Sequence, residues 1–246
     1  MRYLLLLLAL AMPVVAWFSQ QGAFGPDNGT ISDRYPTLLV AAGYAFAVWG
    51  LIFTLDLVFA AWQAVRERGA TIDRIRLPVA IGFALTALWM PVFSQEMFWL
   101  ALLVIWASLA ALLHAAIVLS RDESPERGMR LFAWLPISLH AGWLSLAAFL
   151  NTAQVVVAHD LASRTQMLWW SLVLFAGAAA LLLWANARMR GNLPYALVAL
   201  WGLAAVYVKQ SGAGLAGADA AAWVALGIGG VLALQTGWLL LRGRRA

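Results

Sequence analysis

The chain has 246 residues, 64% of them hydrophobic and only 11% charged, with a mean hydropathy of +0.83. Soluble domains carry roughly 45–50% apolar and about 25% charged residues, so this balance excludes a soluble globular protein and indicates an integral membrane protein. The pI near 10.2 comes from basic residues in short loops between apolar stretches, where they set orientation rather than bind nucleic acid; the lack of cysteine excludes disulfides, thiolate metal sites and cysteine nucleophiles.

A membrane helix needs about 20 predominantly apolar residues. Eight stretches meet or approach that length: Tyr3–Phe18, Leu38–Val65, Leu77–Phe93, Met97–Ser120, Leu131–Ala153, Met167–Ala187, Leu193–Val208 and Ala220–Leu241. They predict an all-α polytopic bundle forming a single integral membrane domain, 1–246. The first, third and seventh are short and must borrow from their flanking loops. The first also has a second reading, because Arg2, the run LLLLLALAMPVV and Ala16 have the make-up of a secretory signal peptide. Its cleavage site is a poor match, with Trp17 and Phe18 following at once, so a retained span is preferred.

The longest polar connection, Ser19–Tyr35, is rich in Gly, Pro, Asp and Asn and reads as a turn-rich loop over the mouth of the bundle. Ser94-Gln95-Glu96 is so short that the third and fourth spans must form an antiparallel hairpin. All Lys and Arg except Arg34, Arg164 and Lys209 fall on one side of the predicted spans. Basic residues collect on the cytoplasmic side, so both termini are expected in the cytoplasm, most simply at a bacterial inner membrane.

Two ionisable residues lie within spans. Asp56 sits in mid-span, where an ionised acid costs about 2.5–3.5 kcal/mol on insertion scales, so it should face the bundle interior, protonated or paired. His140 lies in the fifth span one turn before Trp143. Together they are candidates for a proton or ion site, or for interhelical hydrogen bonds alone. His140 also has the chemistry of an axial iron ligand. His114 and His159 are scattered and carry no metal-ligand spacing, so no metal site is expected.

Three segments resemble the TspO/MBR family, the tryptophan-rich sensory proteins related to the translocator (peripheral benzodiazepine receptor) protein. Ala41-Ala42-Gly43-Tyr44-Ala45-Phe46-Ala47-Val48-Trp49 with Phe53 is similar to the family's first-helix pattern, without its double proline. Thr86-Ala87-Leu88-Trp89-Met90-Pro91-Val92-Phe93 is similar to its Asn-x-x-Trp-Ser-Pro-Leu-Phe pattern, with Thr86 in place of Asn. Trp143 with Leu150-Asn151 resembles its last-helix pattern. Tyr207-Val208-Lys209-Gln210 is similar to the Lys-Gln pair of a longer-chain branch with extra C-terminal helices. The family's sterol motif is absent after Asn151, where Thr152-Ala153-Gln154 follows, so sterol binding is not implied.

The resemblance implies a five-helix core over 36–153 with additional helices over 166–242. It also implies an aromatic pocket for a planar hydrophobic ligand, a tetrapyrrole such as protoporphyrin IX or haem, in a sensory or regulatory role. Tyr44, Phe46, Trp49, Trp89, Trp143 and Asn151 are the ligand-binding residues it points to; packing residues are the competing reading. Two other functions stay open, a proton-coupled small-solute transporter and a porphyrin-degrading membrane enzyme, the latter without assigned catalytic residues. Expected partners are the lipid bilayer and a hydrophobic small molecule, and the extra helices offer either a homodimer surface or part of the cavity.

Overall fold

Long runs of Leu, Ala and other good helix formers, in a medium where each backbone group must be satisfied within its own segment, make helices. The computed structural model describes residues 1–243; Arg244 and Arg245, counted above with the inside charge, lie outside the described residues. Its principal helices are α1 (Arg2–Gln20), α2 (Asn28–Arg34), α3 (Val48–Val65), α4 (Ala70–Ser94), α5 (Phe98–Ser120), α6 (Leu135–Ala158), α7 (Met167–Arg188), α8 (Leu193–Ser211) and α9 (Ala218–Gly243). A 3₁₀ turn at Gly43–Ala47 leads into α3 and a π turn at Arg130–Trp134 into α6. Eight of these segments are long and apolar enough to cross a membrane.

Two differences from the sequence expectation are informative. Ser19–Tyr35 contains the short helix α2. The second span starts at Gly43 rather than Leu38. Residues 37–42 are apolar enough to extend a helix, yet they run irregularly with Leu38 and Leu39 fully buried. The side chain of Gln210 on α8 donates to the carbonyls of Thr37 (3.0 Å) and Val40 (3.4 Å), and Ala42 N–H donates to the Ala205 carbonyl at 3.0 Å. Non-helical backbone at membrane depth is tolerated only where protein satisfies it, and α8 does so here.

The chain divides into two compact units. The first comprises residues 1–28 and 47–141: α1, α3, α4, α5 and the start of α6. In it α1 lays Leu5, Ala9 and Met12 inward and packs on α3 and α4, while Gln63 Nε2 donates to the Arg2 carbonyl at 2.9 Å. The hairpin α4–α5 turns at Glu96, which adopts a left-handed φ of 57°. Gly82 lets these helices approach so closely that a Cβ there would lie 2.4 Å from Leu112 Cγ. Between α3 and α4, the Arg68 guanidinium sits 3.7 Å over the Trp62 ring and 3.6 Å from Glu126. Burial, reinforced by Arg66, lowers its pKa against the opposing effect of Glu126.

The second unit comprises residues 29–46 and 142–246, with the rest of α6 and α7–α9. Here Gly142 on α6 meets α8 at backbone contact: a Cβ would fall 2.6 Å from the Tyr195 carbonyl oxygen. Tyr195 O–H donates to Ser145 Oγ at 2.9 Å, also joining α8 to α6. Asn186 Nδ2 on α7 donates to Gln235 Oε1 (2.8 Å) and Thr236 Oγ1 (3.0 Å) on α9. Small residues and interhelical hydrogen bonds are the usual adhesives where lipid removes the hydrophobic drive for helix association.

Candidate functional site

The first unit places its polar chemistry at one spot. Trp49, Phe53 and Asp56 are spaced four and three residues apart, which sets them on one face of α3, and all three are buried. Asp56 and His140 are fully buried, and His140 Nδ1 lies 2.7 Å from Asp56 Oδ2. The other ring nitrogen, Nε2, is 3.2 Å from Thr86 Oγ1 on α4. Thr86 Oγ1 is in turn 2.9 Å from Ser108 Oγ on α5, which donates to the Gly82 carbonyl at 3.0 Å. Four helices thus contribute one side chain each to a single hydrogen-bonded row.

The end of the row fixes its direction. A carbonyl oxygen only accepts, so the Ser108 hydroxyl proton is committed to Gly82. Thr86 must then donate to Ser108, and its oxygen is left to accept from His140 Nε2–H. His140 therefore carries its proton on Nε2, and Nδ1 and Asp56 Oδ2 share one more proton between them. Whichever atom holds it, the pair has no net charge, which is the arrangement a low-dielectric interior tolerates. Asp56 Oδ1 is buried with no hydrogen-bond partner among the described residues.

Aromatic rings enclose this row. Trp49 is stacked on Phe53 (centroids 5.0 Å apart, 21° between planes) and stands edge-on to His140 (5.6 Å, 85°). Phe83 of α4 stacks on His140 at 5.9 Å and 17°. Trp89, one helix away in sequence, is buried and stacked on Phe93 at 4.7 Å. The sequence singled out Trp49, Asp56 and His140 separately; the structure brings them into one cluster.

Tyr44, Phe46, Trp143 and Asn151 belong to the second unit. Phe46 meets Trp143 edge-on at 6.3 Å, and Trp143 and Asn151 are buried. Tyr44 is 47% exposed and stands edge-on to Trp201 at 5.3 Å. Lys209, at the end of α8, bonds Asp33 at 2.8 Å beside a cavity of about 260 Å³ lined also by Thr37, Val40 and Gln210. That volume is below the roughly 300–1,000 Å³ usual for small-molecule sites. His114 and His159 are exposed, and among the described residues no three His, Cys, Asp or Glu gather as metal ligands.

Two members of the row, Thr86 and Ser108, were not picked out as functional. A signal was present: a buried acid and a buried imidazole need partners, and these hydroxyls lie in mid-span on the neighbouring helices. A TSPO-like protein family model matches residues 2–238. The chain belongs to the TSPO-like family. No curated protein and no solved structure gives a match. As a TSPO-like protein with eight membrane-length apolar helices among the described residues, it is an integral membrane protein.

Proposed function

We propose that this TSPO-like protein binds a planar, largely apolar ligand of the tetrapyrrole class against the aromatic cluster of its first unit, in a sensory or regulatory role. The observation that supports the reading is the cluster of Trp49, Phe53, Phe83 and His140, drawn from α3, α4 and α6 and packed on one another around a buried polar row. Flat aromatic faces suit a flat macrocycle, with offset stacking and edge contacts each contributing about 0.5–1.5 kcal/mol beyond area burial. Family membership supports the same ligand class. His140 would have to surrender a hydrogen bond to ligate iron, because both its nitrogens are engaged. The ligand read here is therefore a metal-free porphyrin rather than haem held through His140.

The test is quenching of tryptophan fluorescence by protoporphyrin IX in purified, detergent-solubilised protein. Saturable quenching that is weakened in Trp49→Ala and unchanged in Trp223→Ala, an exposed control, supports the reading. Quenching no greater than that of an unrelated membrane protein counts against it.

A second reading, proton-coupled movement of a small solute, is favoured by the uncharged Asp56–His140 pair at full burial. It predicts uptake into proteoliposomes driven by a pH gradient and lost in Asp56→Asn. Uptake indifferent to the gradient would set it aside.

A further inference from the structure

We propose that Asp56 and His140 form a buried site for one transferable proton, with Asp56 Oδ1 as the accepting atom and Thr86 and Ser108 as positioning residues that hold His140 in its Nε2–H form. The inference stands on the hydrogen-bonded row alone and does not rest on the ligand reading. Followed from Nε2, the row passes through Thr86 and Ser108 and stops at the Gly82 carbonyl, which has no proton to give and nowhere to pass one. This arm orients the imidazole; it does not conduct. Followed from Nδ1, the row reaches Asp56 Oδ2, and the same carboxyl group offers Oδ1, fully buried with no partner among the described residues. A buried carboxyl oxygen is costly to leave without a partner, and Oδ1 is the one atom of the row where an incoming proton can land.

The proton bookkeeping is simple. In the resting pair one proton moves between Asp56 Oδ2 and His140 Nδ1 without changing net charge. A second proton, from water reaching the site, bonds to Oδ1 while the first sits on Nδ1; the pair becomes a carboxylic acid beside an imidazolium, with charge +1. Release from Oδ1 restores the neutral pair. The other ionisable groups on the contributing helices stand apart. No other Asp, Glu, Lys, Arg or His lies within α3 or α6. Asp73, Arg74 and Arg76 occupy the start of α4, with Arg76 about 15 Å along the axis from Thr86 and bonded to Asp73 and Gln63. His114 on α5 is exposed, and α1, packed on α3 and α4, carries only Arg2.

Nitrogen-15 NMR of histidine-labelled full-length protein in lipid nanodiscs tests the assignment, with His114 and His159 as internal controls. The expected result is a hydrogen-bonded His140 Nε2–H, distinct from the ring N–H signals of the two exposed histidines. Thr86→Val should shift that resonance to the position of an unbonded imidazole N–H, and the conservative Thr86→Ser should leave it in place. Asp56→Asn should remove the shared proton at Nδ1 and lower the proton uptake over the full titration by one per chain. An unprotonated Nε2, a resonance unmoved by Thr86→Val, or equal uptake by wild type and Asp56→Asn would overturn the proposal.

Discussion

At the scale of single residues, the decisive fact is that an acid and an imidazole buried together must settle their charge against each other. Removing one partner of such a pair strands the other, at a cost of about 3–5 kcal/mol, whereas replacing both by apolar groups is often near neutral. His140→Leu should therefore lower the unfolding midpoint in detergent far more than Asp56→Leu combined with His140→Leu. A double variant as unstable as the single one would mean that the two side chains act independently. Tyr195→Phe is a milder case. It deletes the bond to Ser145 but keeps the ring packing, so the expected loss is about 0.6–2 kcal/mol, the range for interhelical bonds in membranes. A double-mutant cycle with Ser145→Ala measures it.

Between whole elements, close approach at glycine decides how tightly helices pack. A methyl group at Gly142 would press on the Tyr195 backbone oxygen, which cannot rotate away, so Gly142→Ala should cost about 1–3 kcal/mol in a thermal or steric-trap unfolding assay. Gly227, by contrast, has open space around its missing Cβ, and Gly227→Ala should leave stability unchanged. The helices themselves were legible in the sequence because apolar length alone reports a span. The start of the second span was not, since Leu38–Val40 look like more of the same helix. The irregular path is satisfied from a distance, by the Gln210 side chain on the carbonyls of Thr37 and Val40 and by the Ala205 carbonyl on Ala42 N–H. Gln210→Leu should speed hydrogen exchange at residues 37–42 and leave α5 protected; uniform protection would contradict this account. Asp56 and His140 were conspicuous one at a time, as rare ionisable groups in apolar runs. Their pairing was not, because 84 residues separate them, and Thr86 and Ser108 are ordinary helix residues until a buried imidazole is placed beside them.

At the scale of the molecule, membership of the TSPO-like family and the count of apolar helices make this an integral membrane protein. The loop charges predict which side faces the cytoplasm. The chain has no native cysteine, so single cysteines report orientation without background. Glu67→Cys and Ser124→Cys should react with an impermeant thiol reagent only in inverted vesicles, and Asp160→Cys and Gly214→Cys only in whole cells or right-side-out vesicles. Labelling in the opposite sense would reverse the predicted orientation. For function, the most direct measurement is circular dichroism in the Soret band of protoporphyrin IX added to the purified protein, because an achiral ring acquires a signal only when held in a fixed chiral site. A saturable induced signal with wild type, lost when Trp49 and Phe83 are both replaced by Ala and kept in Trp223→Ala, is the predicted result. No induced signal at saturating porphyrin, or one indifferent to Trp49 and Phe83, would contradict a binding site on that aromatic cluster.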